Sequence, residues 1–119
     1  MKSYKELEIW KKAIDLSLLV YKLSRAFPSE EKFGLTSQIR RCSVSIPSNI
    51  AEGWGRGSTK EYIYFLQIAR GSLMELETQL IIAFKLNYFD EGKNKDITEL
   101  LTSVIMMLNK LISTLKAKL

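Results

Sequence analysis

Apolar residues recur along this chain at spacings of three and four, the period of a helix face, almost from end to end. Leu7, Trp10, Ile14, Leu18 and Tyr21 form one such series near the N-terminus, and Ile9, Ala13, Leu16, Val20, Leu23 and Phe27 form a second beside it. The combined stripe is wider than one coiled-coil seam requires, which motivates an expectation of self-association through the first helix. Ser3 with Glu6 three residues on predicts a capping box at its start, and Pro28 predicts its end.

A second helix is expected after Ser29, with Glu30 and Glu31 favoured in its first turn and Leu35, Ile39, Cys42, Ile46 and Ile50 as its core series. Pro47 lies inside that series. Because the period continues in register past it, the expectation is a kink between Ser43 and Pro47 rather than a break. Ser43, Ser45 and Ser48 are the candidates to satisfy the carbonyls that the proline frees. Gly53-Trp54-Gly55-Arg56-Gly57 then predicts a turn.

Ser58 and Glu61 predict a second capping box, opening a helix from about Thr59 to Leu86 with Tyr62, Phe65, Leu66, Ala69, Leu73, Leu76, Leu80 and Ala83 inward. Gly71, costing about 1 kcal/mol relative to alanine in mid-helix, suggests close approach by another backbone. Asn87 or a neighbouring residue is expected to end the helix in a left-handed cap. The last helix begins between Glu91 and Ile97, capped by Asp90 or Asp96, and carries Leu100, Val104, Met107, Leu108, Leu111 and Leu115. Four amphipathic helices on short turns predict one domain over residues 1–119, an all-α, antiparallel up-down-up-down four-helix bundle with a proline-kinked second helix.

Composition narrows the chemistry. There is no histidine, which removes the commonest general base at neutral pH and the commonest transition-metal ligand; a di-iron bundle would need two Glu-x-x-His motifs. Glu52, Glu61, Glu75 and Glu77 can be imagined around a hard cation, but no calcium-type loop is present. The single cysteine, Cys42, sits in an apolar series where a thiol behaves as a small hydrophobe, and it cannot form an intramolecular disulfide. No serine has a visible base. The expectation is therefore a protein that is not an enzyme and uses no metal or cofactor. A lone cysteine, no signal-peptide core between Met1 and Trp10 and no apolar run near ~18 residues point to a cytoplasmic protein without membrane insertion.

A net charge of +5 favours anionic partners, RNA or DNA among them, or serves solubility alone. The candidate nucleic-acid-binding residues are Arg40, Arg41, Arg56, Lys60 and Arg70. Their rival role is pairing of Arg40 or Arg41 with Glu52, Glu75 or Glu77. Arg56 in its glycine-rich turn reads either as a plain turn residue or as part of a phosphate cradle ahead of a helix N-terminus, without the ending of a P-loop. Arg41, Ser45, Ser48 and Glu52 line up as a polar strip with Asn49 alongside, and Trp54 and Tyr62 are either base-stacking platforms or core plugs.

The segment Ser43-Val44-Ser45-Ile46-Pro47-Ser48-Asn49-Ile50-Ala51-Glu52-Gly53, then Gly55-Arg56, resembles the bacterial family named after the 23S rRNA intervening-sequence protein. Phe27-Pro28, Phe65-Leu66, Ala69 to Leu73 and Glu75 to Leu80 extend the likeness, and Leu7 with Trp10 fits its opening. The resemblance implies a closed homo-oligomeric ring, a pentamer, and kinship with the accessory proteins of diversity-generating retroelements, which work with a reverse transcriptase and nucleic acid. It implies no enzyme. Together the residues and the resemblance lead to an expected function as a scaffold that binds structured RNA or DNA; the alternative is an adaptor that docks a partner protein.

Overall fold

The computed structural model describes residues 3–119. Four helices follow in order: α1 Glu8–Ser24, α2 Leu35–Gly55, α3 Thr59–Lys85 and α4 Glu91–Lys116, with short 3-10 turns at Tyr4–Glu6 and Ser29–Glu31. Successive helices pack side by side and α1 closes against α4, so the bundle is up-down-up-down and 46 Å long. No strand occurs among the described residues.

Of the two series on α1, the second is the core: Ile9, Ala13, Leu16, Val20, Leu23 and Phe27 are buried, while Leu18 and Tyr21 are exposed and Leu7, Trp10 and Ile14 half-buried. Ile39, Cys42, Ile46 and Ile50 are buried on α2, and Leu66, Ala69, Leu73, Leu76, Leu80 and Ala83 on α3. On α3 the expected Tyr62 and Phe65 flank the core, and Ile63 takes the buried place. The α4 stripe is rotated from the expected one. Ile97, Leu101, Val104, Leu108, Ile112 and Leu115 are buried, with Leu100, Met107 and Leu111 at its margin. This helix has the length and, over eighteen residues, the mean hydropathy of 1.2 that also suit a membrane span; its buried stripe completes the bundle core.

Two helix starts and one helix end differ from expectation. Ser3 caps only a 3-10 turn, its Oγ accepting from Lys5 N–H, and α1 begins after extended Leu7. It also ends at Ser24, a turn before Pro28, with Arg25 still in helical φ/ψ. The α2 helix begins at Leu35, not after Ser29, and its cap comes from the preceding turn: Glu31 Oε1 accepts from Leu35 N–H at 3.2 Å. Gly34 permits this, since a Cβ there would lie 2.8 Å from the same Oε1. Ser58 and Asp90 cap α3 and α4 by accepting from Glu61 N–H and Lys93 N–H. Asn87, at φ 64°, closes α3 in a left-handed cap, with Tyr88 N–H on Ala83 C=O and Asn87 N–H on Phe84 C=O.

Helix α2 runs through Pro47 without a break. Proline has no N–H for the carbonyl four residues back, that of Ser43, and the missing donor comes from the neighbouring helix: Ser17 Oγ donates to Ser43 C=O at 2.8 Å in a buried bond. The expected local serines act elsewhere, Ser43 Oγ donating to Arg40 C=O and Ser45 Oγ to Cys42 C=O.

The five-residue glycine segment is mostly helix rather than turn. Gly53 is buried within α2, where a Cβ would come 2.8 Å from Phe65 Cβ and 3.2 Å from Tyr62 C=O; it is the glycine that lets α2 and α3 approach. Gly57, at φ 83°, is the turn. Gly71 has nothing within 4 Å of its would-be Cβ, so among the described residues no backbone of another element approaches it.

Aromatic rings close both ends. Phe27, Phe84, Tyr88 and Phe89 cluster at one, with Phe27 and Phe89 stacked at 6.3 Å, and Tyr4 meets Trp10 and Trp54 at the other. Tyr88 Oη donates to Glu31 Oε2 at 2.6 Å, joining the two turns at the first end. That bond, with the Leu35 N–H, lowers the Glu31 carboxyl pKa, and it pushes the Tyr88 phenol up to about 12. The folded state thus holds the Tyr88 proton more tightly than the unfolded chain. The associated stability is complete below the ordinary tyrosine pKa near 10 and is lost as pH rises towards 12. Urea titrations between pH 9 and 12 should show this decline, and Tyr88→Phe should flatten it; an equal decline in the variant would assign it to other groups.

Candidate nucleic-acid interface

The five candidate cations fall into three places. Arg40 and Arg41 are neighbours on the N-terminal half of α2. Arg56 and Lys60 bracket the α2–α3 turn, about 22 Å away along the helix axis from Arg41 at 1.5 Å per residue. Arg70 lies on the seam between α3 and α4. Folding brings together the neighbours in each group and keeps the groups apart.

Three of the five are committed inside the chain. Arg40 Nε donates to Ser24 Oγ at 2.8 Å and its guanidinium lies 4.9 Å over the Tyr21 ring, fastening α2 to the C-terminal turn of α1. Arg56 pairs with Glu52 at 2.9 Å and Glu61 at 3.7 Å and covers the Phe65 ring, so two carboxylates surround the one cation. Arg70 donates to Asn109 Oδ1 at 3.2 Å. Arg41 and Lys60 are exposed and make no ion pair or side-chain hydrogen bond among the described residues. The expected rivals change accordingly: Glu52 pairs with Arg56, not with Arg40 or Arg41, and Glu75 accepts from Gln79 Nε2.

Sequence reasoning missed the arrangement around Arg41. A cleft of about 450 Å³ between α2 and α3 is lined by Gln38, Arg41, Cys42, Ser45, Ser72 and Glu75. Cys42 forms its floor, donating to Ser72 C=O at 3.1 Å. Burial first, and the negative charge of Glu75 second, push its thiol up to about 12, so it remains a thiol at neutral pH and is no nucleophile. Within the polar strip, Asn49 Nδ2 donates to Ser45 C=O, which leaves Arg41, Ser48 and Glu52 as its outward members.

At the α2–α3 turn, Trp54, Gly57, Ser58, Thr59 and Tyr62 line a shallower cleft of about 220 Å³. Trp54 is half-buried against Tyr4, and Tyr62 packs on the core with its hydroxyl buried and unpartnered, which raises its pKa. Both rings are therefore largely spent on packing rather than free to stack on bases. Of Glu52, Glu61, Glu75 and Glu77, Glu52 and Glu61 share Arg56 as a partner, and no group of three or more acidic or thiol side chains forms a metal cage among the described residues.

Large apolar side chains stand exposed on two sides. On the α1–α2 side are Leu18 at 64%, Phe33 at 90% and Val44, the last bordering a groove with Trp10, Ile14 and Pro47. On α3 and α4 are Tyr64 at 59%, Ile68, Met74, Ile81, Ile82 and Met106 at 66%.

Comparison with known proteins agrees with this architecture. Residues 5–110 match the family model described as 23S rRNA-intervening sequence protein. The chain is similar in fold to a protein with unknown function from the S23 ribosomal protein family of Bacteroides thetaiotaomicron VPI-5482, whose crystal structure was solved at 1.70 Å. The TM-score is 0.78 at 23% identity, covering 87% of this chain and 97% of that one. Among curated proteins none matches the sequence.

Proposed function

The chain belongs to the 23S rRNA-intervening sequence protein family, and from that premise we propose that it is a non-enzymatic cytoplasmic scaffold, a homo-oligomeric ring that binds structured RNA or DNA through its basic surface. The observation that carries the assembly is the exposure of large apolar side chains on two different sides of the bundle. Unlike faces that meet heterologously close into a ring when the rotation between subunits allows, and a pentamer is the ring proposed. Gly71 supports this reading. It is an exposed mid-helix glycine whose would-be Cβ meets nothing within 4 Å among the described residues, beside Ile68 and Met74 on α3. The glycine suits approach by a second subunit. Kinship with the retroelement accessory proteins belongs to the same proposal.

Light scattering tests the assembly. Phe33→Glu and Leu18→Glu replace exposed residues, so they should leave the helical content intact and reduce the particle to smaller species. An unchanged mass for both would remove the α1–α2 face from the interface, and a monomeric wild-type chain would end the ring proposal.

Nucleic-acid binding follows from the net charge of +5 and should fall steeply between 50 and 200 mM salt. Arg41 and Lys60, the two uncommitted candidates, should matter more than Arg56, whose charge is already met by Glu52 and Glu61. Failure of labelled RNA and DNA alike to bind at low salt would overturn this part. The commitment of Arg40, Arg56 and Arg70 also favours a second reading, in which the ring is an adaptor for a partner protein. Stoichiometric recovery of one protein that survives nuclease treatment would establish that reading instead.

A further inference from the structure

A cleft of about 460 Å³ opens between the C-terminal half of α1 and the first turns of α4, lined by Leu19, Lys22, Leu23, Arg25, Ala26, Lys93 and Asp96. Its volume lies in the range of small-molecule pockets. Leu19, Leu23 and Ala26 supply an apolar wall, and three cations face one carboxylate around it. None of the side chains of Lys22, Arg25, Lys93 or Asp96 makes an ion pair or hydrogen bond within the described chain. The negative end of α1 and the positive end of α4 lie side by side here, so the helix dipoles oppose each other; of the charged side chains lining the cleft, three are cations and one is a carboxylate, with Asp90 and Glu91 at the start of α4 nearby in sequence.

We propose that this cleft binds a soluble amphipathic anion, a carboxylate or phosphate monoester borne on an alkyl chain. The alkyl chain lies on Leu19, Leu23 and Ala26, and the head group is held by Lys22, Arg25 and Lys93. A nucleic-acid phosphodiester would engage the cations and leave the apolar wall wet, whereas a neutral apolar molecule would leave the cations unused. An amphipathic anion satisfies both. The inference is independent of the proposed scaffold role.

Calorimetric titration of the full chain with dodecyl phosphate and dodecanoate, each below its micelle concentration, tests it at low ionic strength. Saturable binding of both is expected, with at least tenfold weaker binding of inorganic phosphate and of dodecyltrimethylammonium. Lys93→Glu and Lys22→Glu, at exposed positions, should each weaken binding about tenfold without changing helicity. Ala26→Trp should fill the cleft and abolish binding; if that variant does not fold, the two lysine variants decide. Equal affinity for inorganic phosphate or for the cationic amphiphile, no saturation by either anion, binding only to anionic phospholipid vesicles, or unchanged affinity in the lysine variants would each overturn the proposal.

Discussion

Gly53→Leu is expected to lower the unfolding free energy by about 3 kcal/mol, the upper part of the range for overpacking a tight contact. The reason is geometric. Even the first carbon of a new side chain would sit 2.8 Å from Phe65 Cβ and 3.2 Å from both Tyr62 Cδ1 and its carbonyl oxygen. The nearest atoms are a Cβ and a backbone oxygen, which cannot rotate away, so α2 and α3 would have to separate. Those two helices share the most extensive contact in the bundle, and the strain would therefore spread into the core around Ile50 and Leu66. Gly55→Ala is the control. It lies in the same helix with nothing within 4 Å and should leave stability unchanged or raise it by ~0.5–1 kcal/mol through helix propensity. Urea denaturation of the two variants checks the pair, and a Gly53→Leu protein as stable as the parent would refute the close approach.

Ser17→Ala should cost about 2 kcal/mol, because it removes the donor that reaches the buried Ser43 carbonyl in place of the N–H that Pro47 lacks. A serine at a buried helix position ordinarily contributes less. The distinctive outcome is coupling to Pro47. In Pro47→Ala, residue 47 regains its N–H and can bond Ser43 C=O within α2, so loss of Ser17 should then cost less than half as much. A double-mutant cycle measures this directly; equal costs of Ser17→Ala in both backgrounds would show that Ser17 does not serve the proline.

These two sites mark where sequence reading stops. The spacing of Ile39, Cys42, Ile46 and Ile50 was legible because a helix places residues three and four apart on one face regardless of the rest of the protein. Ser58 and Asn87 were legible for the same reason, since each acts on backbone groups within a few residues of itself, and Asp90 was legible as one of two candidates. By contrast, the glycines at 53 and 57 look alike in sequence and do opposite jobs, one admitting a neighbouring helix and the other turning the chain. The rotation of the α4 stripe and the choice between the two α1 series were also beyond reach. A stripe wider than the core it faces has no local signal for which edge turns inward.

The candidate site divides in the same way. Sequence identified the cations and the net charge of +5. It could not reveal that Arg40 is fixed to Ser24, Arg56 to Glu52 and Glu61, and Arg70 to Asn109, or that Arg41 and Lys60 stay uncommitted. Sequence by itself determined four amphipathic helices, the caps at Ser58 and Asn87 and the family likeness, because those depend on periodicity and on contacts within one or two turns. Only the tertiary structure decided the Ser17 bond to Ser43 across 26 residues, the Tyr88 bond to Glu31 across 57, and the cations left facing the α1–α4 cleft. Each depends on where distant helices stand relative to one another, and that is set by packing of the whole core.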